Sequence, residues 1–366
     1  MSDPGTTDER GLRQVGAEEE LLLVSARTPS RPVPGGESVL EDPSVEAEHE
    51  LKLEQVEIVS EPASVLAELG LDLRRRRASV IEAAALRGIR VVALASSPGP
   101  TTPTPTPDER YQRMGERFGL VARDQLTCGT HVHVAVESRA HGVAAIDRIR
   151  PWLAVLTAIS ANSPFWSGQD TGYASYRTVM WGRWPTAGPT ELFGEERRYD
   201  EAVADLVASG AALDLGMIYF DARLSANQPT VEVRVADVCQ DVTDTVLLAA
   251  LTRALVETAL QDAAEAPAPV RTSLLRAAAW RAARFGLSGE LLDPTEARPR
   301  PASEMLDRLV EHVAPALART GDEHLVHDSI ARILVRGTGA EMQRAALARR
   351  GLMGDVVADA AVRTAG

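Results

Sequence analysis

The sequence predicts an α+β fold, on three observations. Period-two apolar runs of strand length alternate with longer helical stretches through the first two-thirds of the chain. Two of those runs, Leu215–Leu224 and Thr230–Val238, are separated only by the short Ser225–Pro229 turn, which favours antiparallel pairing. No Rossmann-like repeat joins the runs, which argues against a doubly wound parallel sheet.

Each element has its own signal. Gln14–Val24 is the first expected strand, followed by a Pro- and Gly-rich loop over Thr28–Pro43 and a second strand over Gln55–Ser60. Pro62 opens a helical stretch to about Leu86, and Gly88 ends it; its arginine block, Arg74–Arg77, reads as a solvated helix face. Ile89–Ala95 reads as a buried strand and Ser96–Pro107 as an extended Pro/Thr loop with an exposed tip. Asp108–Val121 is helical in pattern, Thr127–Val136 alternates as a strand, and Ala144–Ala161 is a helix broken by Pro164. Beyond the antiparallel pair, Asp241–Ala263 is a long Ala/Leu helix, and the chain from Val270 onward is almost wholly helical. The expected organisation is a single domain over 1–366, with a sheet-containing core over 14–262 that carries the site and a mostly helical part over 263–366.

With 366 residues, 45% hydrophobic and 25% charged, the chain has material for a large core. Its net charge of -13 argues against a nucleic-acid partner, which needs a basic surface. A locally basic site for acidic substrates stays compatible with that charge. Met1–Arg13 is polar and lacks an apolar h-region, and no apolar run approaches the ~20 residues that span a bilayer, so no membrane partner is expected. The two cysteines, Cys128 and Cys239, are expected to be inert core thiols; without a disulfide framework, a cytoplasmic location is expected.

Three strands share one pattern. In Val15-Gly16-Ala17-Glu18-Glu19-Glu20-Leu21, alternation sends Glu18 and Glu20 to one face. In Thr130-His131-Val132-His133-Val134 the histidines share a face, and in Thr230-Val231-Glu232-Val233-Arg234-Val235 it is Glu232 and Arg234. The valines take the opposite, aliphatic faces, which amphipathic helices can cover. A strand with one polar face is ordinarily just solvated on that side. Three such strands carrying an acid pair, a His pair and a Glu–Arg pair instead point to a shared concave site. Clustered carboxylates suit hard divalent cations, and an imidazole among them favours manganese more than magnesium alone would. Glu50 and Glu57 are further candidates; their odd separation places Glu50 in the loop before the second strand and Glu57 within it. Lys52 and Glu54 fall on the face opposite Glu57 and are expected to be surface charges.

Together with His49-Glu50, Gln55-Val56-Glu57-Ile58, Glu109-Arg110-Tyr111, Trp184-Pro185-Thr186-Ala187-Gly188-Pro189, Trp280-Arg281-Ala282-Ala283-Arg284-Phe285-Gly286-Leu287 and Gly337-Thr338-Gly339-Ala340-Glu341-Met342-Gln343-Arg344, these motifs follow one another in a recognisable order. In that order the chain resembles the type 2 glutamate–cysteine ligase family, the bacterial carboxylate–amine ligase branch, over nearly its whole length. The resemblance implies a glutamine-synthetase-like catalytic domain, a curved antiparallel sheet with helices packed on one face and a helical C-terminal part. It implies that ATP phosphorylates the γ-carboxylate of glutamate and that an amine, cysteine in the family, displaces the phosphate. It also implies metal ligands at Glu18, Glu20, Glu50, Glu57, His131 and Glu232, with Mg2+ or Mn2+ as the cation. Arg234 is implied as the residue steadying the transferred phosphoryl group beside Glu232, and Arg177, Tyr111 and Arg223 as substrate contacts. The implied partners are small molecules, amino acids and ATP; a homo-oligomeric state stays open.

Phosphoryl transfer is mostly positioning and charge neutralisation, so carboxylate-held metals and an arginine are the residue types it asks for. A metal-dependent amide hydrolase working without ATP, and a binding protein that kept the sheet but lost turnover, are the competing readings. His133 either supports His131 or makes a local hydrogen bond. His141, His312, His324 and His327 are expected at the surface, and Gly337-Thr338-Gly339 is read as a helix N-terminus rather than a phosphate loop.

Overall fold

The computed structural model describes residues 7–8, 11–262 and 265–366. The first six residues and the expected helix end at Ala263 lie outside them. Eleven strands are present among the described residues: β1 (Val15–Ser25), β2 (Glu48–His49), β3 (Gln55–Val59), β4 (Ile89–Val92), β5 (Gly129–Ala135), β6 (Phe165–Trp166), β7 (Gln169–Asp170), β8 (Ala222–Leu224), β9 (Thr230–Asp237), β10 (Glu290–Asp293) and β11 (Arg298–Pro301). Seven of them form one open sheet in the order β2-β3-β1-β5-β9-β8, with β4 beside the C-terminal half of β1. Every pairing in it is antiparallel. The expected α+β architecture, an antiparallel sheet covered by helices, is what the chain adopts.

The aliphatic face is covered by the Leu66–Ala85 and Val242–Gln261 helices. The second is buried around most of its circumference because the Ala302–Thr320 and Glu323–Arg336 helices pack on its far side. Register then sets the site. Glu18 stands opposite His131, Glu20 opposite Glu57, and Glu232 opposite His133. The ladder between β5 and β9 slips once: Val132 pairs with Val233 but Thr130 with Ala236, so Arg234 and Val235 both face the single His131. Such a bulge bends the strand and re-aims side chains, and here it sits at Arg234.

Several expectations are corrected. Only Arg74 and Arg75 of the arginine block are exposed; Arg76 and Arg77 are buried. The reason is Glu19, whose place in the strand alternation sends it to the helix-covered face with no solvent exposure. Arg77 Nε and Nη2 each donate to the Glu19 carboxylate at 2.7 Å, Thr245 Oγ1 lies 2.5 Å from it, and Arg77 also donates to the carbonyls of Cys239 and Gln240. Lys52 and Glu54 are buried because the Ser96–Pro107 loop folds over them instead of standing out. Lys52 Nζ donates to the Arg123 carbonyl at 3.1 Å, and Glu54 accepts from the Thr104 amide and hydroxyl at 2.9 Å. The Asp108–Val121 helix breaks at Gly119, which has φ of 56°. The Ala144–Ala161 helix is two, Arg139–Ile149 and Leu153–Ser160, separated at Pro151, which lacks the N–H that continuity needs. The run over Leu215–Leu224 is a strand only at Ala222–Leu224 and starts as a 3-10 turn at Leu215–Met217. The helical C-terminal part contains the β10–β11 hairpin.

No helix among the described residues is long and apolar enough to cross a membrane. Both cysteines are buried and free, as expected. His312 stacks on Trp152, with ring centroids 4.8 Å apart, so one side of its ring is covered. Gly337-Thr338-Gly339 begins a helix through a capping box between Thr338 and Glu341, matching its reading as a helix N-terminus.

Arg77→Met removes the only cationic side chain hydrogen-bonded to the Glu19 carboxylate among the described residues. Removing one partner of a buried ion pair costs about 3–5 kcal/mol. A urea unfolding curve is expected to show a loss of that order for Arg77→Met, whereas Arg74→Ala, on the exposed side of the same helix, shifts it by less than about 0.5 kcal/mol.

Candidate active site

The polar face of the sheet opens into a chamber of about 200 Å³ lined by Glu18, Glu20, Glu50, Glu57, His131, Arg223 and Arg234, with Tyr111 at its edge. Three groups there offer ligand atoms within 4.8 Å of one another: Glu18, Glu57 and His131; Glu18, His133 and Glu232; and Glu20, Glu50 and Glu57. All six residues expected as metal ligands from the sequence fall in these groups. His133 joins them, although alternation marks it only as sharing a face with His131.

The acids differ in how they are held. Glu18 lies 2.9 Å from His131 Nδ1 and 3.0 Å from His133 Nε2. Burial alone raises its carboxyl, but the two imidazole hydrogen bonds outweigh it and hold Glu18 well below the usual range. His133 Nδ1 lies 3.0 Å from Thr230 Oγ1, so this ring both supports Glu18 and is anchored to β9. Burial and the charge of Arg234 push His131 down to about 4, so it is neutral and fit to ligate. Its Nε2 is buried and has no hydrogen-bond partner among the described residues. Glu232 accepts from Arg223 Nε at 2.7 Å and Nη2 at 3.1 Å and also pairs with Arg234. Burial raises it, yet the two guanidiniums keep it ionised.

The other three carboxylates lack such cations at hydrogen-bond distance among the described residues. Glu20 accepts the Gly129 amide at 2.6 Å, but burial and the adjacent Glu50 charge raise it to about 8. Glu57 is pushed well up by burial and by the charges of Glu50, Glu18 and Glu20, and Glu50 is raised by burial. Glu50 follows β2 directly and accepts from the Leu51 amide, as its placement in a loop predicts. This half of the chamber is a set of carboxylates short of positive charge, and with the orphaned His131 nitrogen it fits hard divalent cations.

Arg234 lines the chamber, and Arg177 lies next to it without lining that space. Their guanidinium carbons stand 5.7 and 5.4 Å from the Trp181 ring centre, and Arg234 also lies 5.9 Å from that of Tyr219. Arg177 is fully buried on the short Tyr176–Trp181 helix, whose N-cap is Ser175. It lies so close to β5 that a Cβ at Gly129 would come within 2.2 Å of its guanidinium. A buried network holds that helix: Asp237 accepts from Ser163, from Ser175 and from the Asn162 amide, and Ser163 Oγ accepts from the Arg177 amide at 2.9 Å. Tyr111 sits on the Glu109–Phe118 helix, whose N-cap Asp108 accepts the Tyr111 amide. Arg223 is bound to Glu232 and to the carbonyls of Gly216 and Ile218, so here it positions an acid. Trp181, Tyr219 and the Asp237 network carry no signal in the alternation pattern, because they belong to a short helix, loops and a strand end that only folding brings together.

An open antiparallel sheet with helices behind it and a carboxylate–histidine–arginine chamber in front defines a carboxylate–amine ligase of the glutamate–cysteine ligase kind. The chain belongs to glutamate–cysteine ligase family 2, whose model it matches over residues 14–361. It is 50% identical to a Streptomyces avermitilis protein provisionally named glutamate–cysteine ligase 2-1, over 97% of this chain and 100% of that one. It is 51% identical to a similarly named protein of Frankia alni, over 95% and 96% of the two chains. Among solved structures, a glutamate–cysteine ligase of Francisella tularensis in complex with AMP matches with a TM-score of 0.70 at 11% identity, covering 96% of this chain and 88% of that one. A bifunctional glutathione synthetase of Pasteurella multocida matches at 0.67 with 14% identity, covering 96% and 52%.

Glu20 is one source of the pH behaviour of the metal-free protein. With its carboxyl raised from 4.5 to about 8, the native state holds a proton that the unfolded chain gives up between those values. Native protons then exceed unfolded ones, so stability falls as pH rises through that window. Thermal unfolding of the metal-free protein is expected to show this decline, and Glu20→Gln to make it shallower, the remainder coming from Glu50, Glu57 and Asp221, whose carboxyls burial also raises. Added manganese should raise the melting temperature more at about pH 8 than at about pH 5.5, because the cation replaces the proton.

Proposed function

We propose that this ligase uses ATP and magnesium, with manganese as an alternative, to join the γ-carboxylate of glutamate to the amine of an amino acid, cysteine being the acceptor named in the family. The observation that supports it is the guanidinium of Arg234 standing against Glu232 and His131 at the edge of the acid chamber. Glu18, Glu20, Glu50, Glu57, His131 and Glu232 would hold the cations, which supply charge neutralisation to the phosphates when bound. The γ-carboxylate attacks the terminal phosphate of ATP, and Arg234 meets the charge that grows on the transferred group. Arg177, fixed by the Asp237 network, presents a planar guanidinium to a substrate carboxylate. Tyr111 closes the chamber edge, where burial keeps its phenol protonated well past neutral pH. Arg223 fixes Glu232 in its rotamer, and His133 does the same for Glu18. A hydrolase working without ATP has no use for Arg234 amid the acids. A cytoplasmic setting fits two buried, unpaired thiols.

ADP release with magnesium, ATP and glutamate is expected to require an amino-acid amine as well. Glu232→Gln and Glu18→Gln should abolish it while leaving the circular dichroism spectrum unchanged. Arg234→Ala should lower kcat by about 10²–10³, the scale of losing one donor to developing charge. Amide cleavage in the absence of nucleotide would replace this reading with the hydrolase.

A further inference from the structure

Two motifs of the helical C-terminal part, over residues 280–287 and 337–344, supply no side chain to the acid chamber. Both converge instead on residues 161–175, which lead from the Leu153–Ser160 helix to the Tyr176–Trp181 helix of Arg177. Arg177 lines a second cavity of about 540 Å³, which shares Trp181, Trp184 and Arg234 with the acid chamber. A helix of six residues does not hold its own shape or orientation. The place of Arg177 is therefore set by what grips the chain around it.

Gln343 is buried on the Gly339–Arg350 helix. Its Nε2 donates at 2.7 Å to both the carbonyl and Oδ1 of Asn162, and Gln240 Nε2 donates to that Oδ1 at 2.8 Å. With its amide oxygen taken by donors, Asn162 turns Nδ2 to the carbonyls of Ala93 and Val238, at 2.9 and 2.7 Å. Its backbone N–H donates to Asp237 Oδ2 at 2.8 Å. The approach is close: a Cβ on Gly339 would stand 2.2 Å from Asn162 Oδ1, so only glycine lets the helix come this near. Asp237 passes the constraint on. Ser163 Oγ donates to it and accepts the Arg177 amide, and Ser175, the N-cap of the Arg177 helix, donates to its other oxygen at 2.8 Å. The earlier motif grips the same stretch, since the Ala283 carbonyl accepts the amides of Ala174 and Ser175 at 2.8 and 2.9 Å.

We propose that Gln343 is a positioning residue for substrate binding: by fixing Asn162 it fixes Asp237, and through Asp237 and Ser163 the backbone that aims Arg177 at the substrate carboxylate. This rests on the reading of Arg177 given above and adds how its place is set. Displacing a substrate-positioning group by about 1 Å can cost on the order of a hundredfold in rate, so a network of fully buried hydrogen bonds is suited to the task. Plain packing is the other role open to a buried glutamine. It would make Gln343 variants less stable and leave the KM of the folded fraction unchanged.

The test is the kinetics of glutamate-dependent ADP release in the wild type, Gln343→Met, Arg177→Ala and the double variant, with backbone hydrogen exchange on the wild type and Gln343→Met. Gln343→Met keeps the bulk of the side chain and withdraws both donors from Asn162. We expect it to raise the KM for glutamate about tenfold while kcat changes less than about threefold, the split that follows a weakened binding contact. In the Arg177→Ala background the same substitution should change KM less than about twofold, because members of one network do not act additively. Arg349→Ala, exposed on the same helix, should behave as the wild type. Exchange should quicken in the Tyr176–Trp181 helix and not in β1. An unchanged KM in Gln343→Met, or a rise that multiplies fully with that of Arg177→Ala, would overturn the proposal and leave Gln343 a packing residue. Should Gln343→Met not fold, Gln343→Asn, one methylene shorter, takes its place. If Arg177→Ala leaves KM unchanged, or no amine supports ADP release, the reading of Arg177 or of the ligase fails separately. Hydrogen exchange then decides: quickening in Tyr176–Trp181 sustains the positioning role of Gln343, and its absence ends it.

Discussion

Five carboxylates pressed into one chamber are the constraint on which the rest of this structure depends. Buried like charges repel and resist ionisation, so each acid needs a cation, a proton or a metal. The protein resolves this unevenly. Two imidazoles hold Glu18 and two guanidiniums hold Glu232, so both are ionised without help. Glu20, Glu50 and Glu57 receive backbone amides and distant arginines at most, and their carboxyls rise. One half of the chamber is neutralised by side chains on β5, β8 and β9. The other half stays short of positive charge until a cation arrives.

That imbalance has to be held by a scaffold that does not yield. The back of the sheet supplies it through a second charge pair. Glu19 lies between two site acids in sequence and points the other way, onto Arg77, Thr245 and, through Arg77, the carbonyls before the Val242–Gln261 helix. β1 is thereby fastened to both covering helices at the level of Glu18 and Glu20. On the front, the bulge opposite His131 turns Arg234 toward Glu232, and Gly129 lets Arg177 lie flat on the β5 backbone. Each device acts on a residue that faces the chamber or its immediate neighbour.

The face assignments were readable in the sequence because strand alternation is local. Glu18 with Glu20, His131 with His133, and Glu232 with Arg234 follow from period two alone, the alternation of strand and helix patterns gives the α+β architecture, and the odd spacing from Glu57 gives the loop-borne Glu50. Long-range burial was not readable. Lys52 and Glu54 look like surface charges until the Pro/Thr loop closes over them, and Arg77 looks solvated until a buried Glu19 needs it. The same alternation that places Glu18 and Glu20 sends Glu19 inward, so an acid on the aliphatic face was itself a signal that a cation must come from a helix. The bulge in β9 leaves no mark, since Thr230–Asp237 reads as an unbroken strand, and Asp221 lies in a run whose strand character fails over most of its length.

The wall between the two cavities joins these points. Arg177 and Arg234 stand over the Trp181 ring, and Trp181, Trp184 and Arg234 border both spaces. Arg177 donates to the Arg234 carbonyl and Arg234 is paired with Glu232, so neither stands at hydrogen-bond distance from Glu20, Glu50 or Glu57. Glu20, Glu50 and Glu57 therefore remain dependent on an external cation, while Arg234 borders both spaces.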